Sequence, residues 1–226
     1  VNLPLEVVRH PQARRAKLSV DPASGRVRLV LPPRAALKSA LVWAEAHGDW
    51  IAAQRAALPQ ARPFVDGASV PCDGRDLTIC WREGGSRAVT VDGDRLVTGG
   101  PQENLSRRIE TWLKREALRI LAVETAEVAS RAGVSVERVS VGDPRGRWGS
   151  CAASGAIRYS WRLILAPPAV RQATVAHEVA HRVHMNHSPA FHALVADLLG
   201  RDPTPERRWL KANGAALHWF GRSSPA

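Results

Sequence analysis

The sequence predicts an α+β protein: a mixed, hairpin-rich N-terminal portion followed by a helical portion with one histidine-dense helix. Three observations carry that expectation. Between residues 16 and 98, short β-branched and apolar runs are broken by DPASG, DG, GG and DG turns. From residue 105, Leu105, Ile109, Trp112, Leu113, Ile120, Leu121 and Val128 recur on one broad helical stripe, and Gly133 follows the last turn. Residues 177–187, HEVAHRVHMNH, then gather four of the chain's eight histidines around one glutamate.

Each element follows from local chemistry. RAKLSV and RVRLVLP flank DPASG, whose Asp, Pro and Gly favour a turn, so the pair reads as a β-hairpin. After Pro32 and Pro33, the spacing of Leu37, Leu41 and Ala44 predicts a helix that Gly48 ends, and Asp49 caps a second one that Pro59 stops. A loop, PQARPF, leads into SVPCDGRDLTICWREGGSRAVTVDGDRLVTGG, a run of small hairpins. Beyond the long helix, SVERVSVG reads as a strand and RWGSCAASGAIRYSWRLILAPP as two strands joined around ASGA. An exposed strand within 156–162 could pair with an extended peptide. Pro167 and Pro168 open a helix through VRQATVAHEVAHRV. The expected division is 1–100 for the mixed α/β portion and 101–226 for a catalytic portion.

Length and composition bound the function classes. At 226 residues the chain can bury a substantial core. The opening VNLPLEVVRHPQARRAK is interrupted early by charge and proline, and no apolar run is long enough to span a bilayer, so a soluble protein without membrane partners is expected. Cys72, Cys80 and Cys151 form no CxxC pair, which argues against a disulfide framework or a thiolate zinc site and fits the cytoplasm. The net charge of +11, carried mostly by arginine, keeps nucleic acid or a nucleotide open as a partner. The densest basic runs, Arg14-Arg15, Arg107-Arg108 and Arg207-Arg208, are only doublets, the usual pattern of a solvated face.

The histidine cluster carries the chemistry. On a helix turning about 100° per residue, His177 and His181 lie about 40° apart and one turn from each other, so two imidazoles can meet one ion. One zinc ion suits them, because neutral imidazole binds it in a tetrahedral set that can keep one position open to water. Glu178 is placed to take that water's proton as general base, the arrangement that HExxH encodes. For a third ligand, a continuous helix favours His184, about 20° from His177, over His187, about 80° away. Ser188 and Pro189, however, form an N-cap and N1 pair that opens a new helix, and the residue before a proline resists α geometry. Asn186 suits a helix end. His187 would then sit on a turn that can swing it back toward the first two.

With RWGSC at 147–151 and HEVAHRVHMNHSPAFH at 177–192 in view, the chain resembles the YgjP-like (DUF45) metal-dependent hydrolases, among the M48-like zincin metallopeptidases, and more distantly the WLM and SprT-like proteases. The resemblance spans most of the chain, including the DWI helix at 49–51, the DGR stretch at 73–75 and the WRLILAP segment. It implies a zincin-like catalytic domain with a long helix, a small antiparallel sheet and the HExxH helix. It also implies zinc on His177, His181 and His187, Glu178 as the catalytic base, and a peptide or protein substrate. Ser160, Arg182 and His192 depart from the family pattern, and these departures bear on the pocket around the metal. The spacing is also similar to that of the metzincins, but their glycine position is His184, and the single methionine, Met185, leaves no downstream Met-turn. Arg147, Tyr159, His184 and His192 are all chemically able to stabilise an oxyanion. A hydrolase of phosphorylated small molecules and a nucleic-acid-associated protein with a structural metal are the competing function classes.

Overall fold

The computed structural model describes residues 5–222, so the first four residues of the opening segment and the end of the GRSSPA tail lie outside it. The chain divides into two compact units, Val1–Gln60 and Ala61–Ala226. The hairpins of 69–98, grouped with the N-terminal portion by composition, therefore belong to the larger unit, and the division differs from one at 100/101.

In the smaller unit, β1 (Leu5–Arg9), β2 (Lys17–Val20) and β3 (Val27–Leu31) form a sheet in the order β1-β3-β2, with β2 antiparallel and β1 parallel to β3. The expected hairpin is present: the Asp21 carbonyl accepts the Gly25 N–H at 2.7 Å, and Gly25 supplies the left-handed φ of +70°. Leu29 and Leu31 bury one face against Ala40 and Ala44 of α1 (Leu37–Glu45). Helix α1 ends earlier than expected, because the ring of His47 bonds the Trp43 carbonyl at 2.7 Å. Gly48 and Asp49 thereby fall inside the first turn of α2 (Gly48–Ala56).

The larger unit has one core. Strands β4 (Ser69–Cys72), β5 (Arg75–Trp81), β6 (Thr90–Asp92) and β7 (Arg95–Thr98) form a sheet in the order β4-β5-β7-β6. Asp73 and Gly74, both at positive φ, close the β4–β5 hairpin, and Gly93 closes β6–β7. The GG step makes no hairpin, since β5 pairs with β7 in parallel. Helix α3 (Leu105–Ala132) runs 28 residues and stops where Gly133 turns left-handed, as its stripe predicts. Leu105, Ile109, Leu113 and Leu121 pack into the core with Val70, Leu77 and Ile79 of the sheet.

The third sheet joins β8 (Arg138–Gly142), β10 (Ala156–Ser160) and β9 (Gly149–Cys151), in that order. It is mixed rather than purely antiparallel, because β10 runs parallel to β8. Strand β10 is paired on both sides, so the sheet edges belong to β8 and β9 and not to 156–162. The WRLIL segment, expected as strand, is a 3-10 turn. All five of its residues are buried, which defeats the alternation a half-exposed strand needs. Ser160 accepts from the Arg162 N–H at the start of the turn, and the Arg162 guanidinium is satisfied inside by Asp143 and the Leu217 and Phe220 carbonyls.

Three helices complete the unit: α4 (Pro168–Ala180), α5 (Pro189–Leu199) and α6 (Thr204–Leu217). Pro168 begins α4 as expected. Arg171, only 3% exposed, clamps α4 to its surroundings through Glu124 of α3 at 2.8 Å and Asp73 of the β4–β5 turn at 2.7 Å. Such a fork holds a helix in register because both carboxylates are bound at fixed angles. Among the described residues no helix is long and apolar enough to cross a membrane. Cys72, Cys80 and Cys151 are free, and burial pushes the Cys72 thiol up to about 12, as befits a small core hydrophobe.

Candidate metal centre

The HExxH helix ends where the local chemistry requires. Helix α4 closes at Ala180, and His181 caps it with helical backbone angles. The next residues wind tightly, with the Arg182 N–H on the Val179 carbonyl and the His184 N–H on the Ala180 carbonyl. A new helix begins at Pro189, where the Ser188 hydroxyl accepts the Phe191 N–H at 3.3 Å. The break expected from Ser188 and Pro189 is therefore present.

The break brings His187 back over α4. His177, His181 and His187 offer ring nitrogens that all lie within 4.8 Å of one another. The Nε2 atoms of His187 and His177 are 3.2 Å apart. Tetrahedral zinc with bonds of about 2.05 Å sets its ligand nitrogens about 3.3 Å apart, so this edge already has the dimension of a zinc site. The Nδ1 of His181 lies 3.1 Å from the His184 carbonyl. A carbonyl only accepts, so Nδ1 carries the proton and Nε2 keeps its lone pair for a metal. Burial, and after it the neighbouring His181 and His187, pull the His177 ring down to about 4, which keeps it in the neutral ligand form. The donor set fits a divalent ion that favours nitrogen.

Phe191 forms the floor. Its fully buried ring lies 4.9, 4.6 and 4.8 Å from the rings of His177, His181 and His187. Packing against one rigid aromatic limits how far each imidazole can turn. His192 stacks on His187 at 6.2 Å from the other side.

Glu178 is 5% exposed, and its Oε2 is buried without a hydrogen-bond partner. Burial pushes its carboxyl up to about 7, against the opposing charge of Arg147. The side chain lies flat on Gly149 of β9: a Cβ there would fall 2.6 Å from Glu178 Cγ and 2.7 Å from Cδ. Glu178 and His177 open into a cavity of about 250 Å³. Its apolar walls include Trp148, Ala173, Val195 and Leu210, while Arg147 and Arg207 bring positive charge.

The candidate oxyanion donors separate here. Arg147 and His192 line the cavity. Tyr159 is fully buried with its hydroxyl 3.0 Å from that of Thr125, and burial raises its phenol. His184 acts on the triad through its backbone carbonyl and not its ring. Arg182 turns away, donating to the Ser135 carbonyl at 3.0 Å and the Ala153 carbonyl at 3.3 Å. Sequence reasoning missed Phe191, Gly149 and Arg207. The first two carried a signal only in their position within HSPAF and RWGSC, and Arg207 carried none beyond its doublet.

A family model described as YgjP-like, metallopeptidase domain matches residues 14–213. No curated protein and no solved structure matches the chain.

Proposed function

The chain belongs to the YgjP-like metallopeptidase family, and from that premise we propose that it is a zinc-dependent peptidase using His177, His181 and His187 as ligands and Glu178 as general base. The observation that carries this reading is the convergence of three imidazole nitrogens beside a buried carboxylate oxygen with no partner. Such an oxygen is costly to bury unless it has work in another state of the site.

Bound zinc would supply Lewis acidity, lowering the pKa of a water toward about 7 and polarising the scissile carbonyl. Glu178, balanced near neutrality, accepts a proton from the attacking water and returns it to the leaving amine. Gly149 leaves room for that carboxylate. Arg147 and His192 are the groups available to the developing negative charge on the carbonyl oxygen. An extended substrate would pair with the open edge of β9, beside Glu178, and place an apolar side chain among Trp148, Val195 and Leu210. The free thiols fit a cytoplasmic setting.

A second reading, hydrolysis of a phosphorylated small molecule, is favoured by Arg147 and Arg207 in the same cavity, since guanidinium forks match phosphate. One experiment separates the two. Bound metal and hydrolysis are measured for the parent and Glu178→Gln against an unfolded protein, a peptide library and nucleoside triphosphates. The peptidase reading expects one zinc per chain in both proteins, peptide cleavage by the parent, and a loss of about 10²- to 10⁴-fold in the variant. Full activity in Glu178→Gln would sink the mechanism, and cleavage of triphosphates alone would sink the peptidase assignment.

A further inference from the structure

We propose that the N-terminal half of α3, with the loop between β5 and β6, forms a cradle for phosphate groups, separate from the histidine site and independent of its interpretation. A cavity of about 390 Å³ opens there, lined by Arg87, Arg107, Arg108 and Arg115, with Asn104 and Thr111 between them. The helical members stand at i, i+3, i+4, i+7 and i+11, so they share one face of α3. From Arg107 to Arg115 that face extends about 12 Å.

Four observations give the cavity its chemistry. No carboxylate lines it, and among the described residues none of the four arginines makes an ion pair. The two acids of α3 within this stretch are engaged elsewhere, Glu110 by Lys114 and Glu116 by Arg119. The Nε and Nη2 of Arg108 are buried with no hydrogen-bond partner, a costly state for a guanidinium. Gly100 also gives the stem of Arg87 its place: a Cβ there would lie 2.7 Å from Arg87 Cγ, and its φ of +77° disfavours any other residue.

Guanidinium forks bind carboxylate and phosphate alike, but three helical arginines along about 12 Å, with Arg87 of the loop on the same cavity, exceed what one carboxylate can neutralise. Closely spaced phosphates match them, whether in a phosphodiester strand or a free polyphosphate.

The test is fluorescence anisotropy of a labelled twelve-nucleotide oligothymidylate on the full chain, in low and moderate salt, with inorganic tripolyphosphate and citrate as competitors. Arg107→Gln/Arg115→Gln changes two exposed members of the cradle, and Arg14→Gln/Arg15→Gln removes the same charge from the other unit. The cradle variant is expected to weaken binding at least tenfold and to lower the salt slope by about 1.4, at about 0.7 per lost contact on a single strand. The charge-matched control is expected to change affinity less than twofold, and citrate is expected to compete poorly. Displacement by micromolar tripolyphosphate assigns the cradle to free polyphosphates, and resistance to it assigns a phosphodiester strand. Equal weakening by both variants, or no binding of either phosphate probe at low salt, overturns the proposal.

Discussion

Gly149→Ala tests the coupling between β9 and the HExxH helix most directly. A methyl group at this position would lie 2.6 Å from Glu178 Cγ and 2.7 Å from Cδ. Carbon atoms settle at about 3.5 to 4.0 Å, so one of the two must retreat by about 1 Å. Gly149 is paired with Tyr159 in the sheet and its φ is not positive, so the backbone has no conformational reason to yield and the carboxylate moves instead. A catalytic group misplaced by about 1 Å costs about 10²-fold, or about 2.7 kcal/mol in the barrier. Overpacking adds about 1 to 3 kcal/mol of instability. The assay is peptide hydrolysis with bound zinc and thermal unfolding measured on the same preparation. The expected outcome is full zinc occupancy, a modest drop in melting temperature and a rate lower by about two orders of magnitude. Gly146→Ala, three residues earlier with nothing within 4 Å of its added Cβ, is expected to be neutral. A Gly149→Ala protein that keeps its rate within threefold of the parent would show that Glu178 does not depend on this contact, and the reasoning would fail.

The remaining predictions concern the histidines and the ion pair between Asp143 and Arg162. His187→Ala is expected to lose zinc, whereas His184→Ala keeps it because the carbonyl that orients His181 survives the substitution; metal analysis after dialysis decides between them, and the reverse result would restore a straight-helix ligand set. Burial raises the Asp143 carboxyl, but the hydrogen bonds and charge of Arg162 outweigh it and hold the group below the usual carboxylate range. An acid depressed on folding contributes stability above its unfolded value and loses it as pH falls through the folded one. Asp143→Asn should therefore cost about 1 kcal/mol at pH 7, since the carboxylate is 40% exposed and solvent screens part of its charge-assisted bonding to Arg162, and nearly nothing once both forms are neutral in acid. Urea titrations at the two pH values measure it, and an equal cost at both would refute the charge argument.

Much of this was legible in the chain because the signals were local. The 28-residue helix α3 followed from one apolar stripe and a terminal glycine, and the β2–β3 hairpin from DPASG. The helix break between His181 and Pro189 followed from a serine cap and a proline, and that break brings the ring of His187 to those of His177 and His181. Signals that depended on partners were misread. WRLIL has the composition of a strand, and only the burial of all five side chains, with Arg162 satisfied from inside, makes it a turn. The pairing of β5 with β7 across the intervening GG loop, and the docking of the 69–98 sheet onto α3, involve contacts far apart in sequence.

The sequence by itself therefore determined the candidate ligand types, their helical spacing and the turn that returns His187 to the other two histidines, since each is encoded within about eleven residues by backbone geometry. Only the tertiary structure decided the rest of the centre. It put Phe191 under all three imidazoles, Gly149 against Glu178, and the four arginines around one cavity. The physical reason is that burial and loss of solvent, which set the protonation of His177 and Glu178, depend on which distant segments close over a residue and not on its neighbours in the chain.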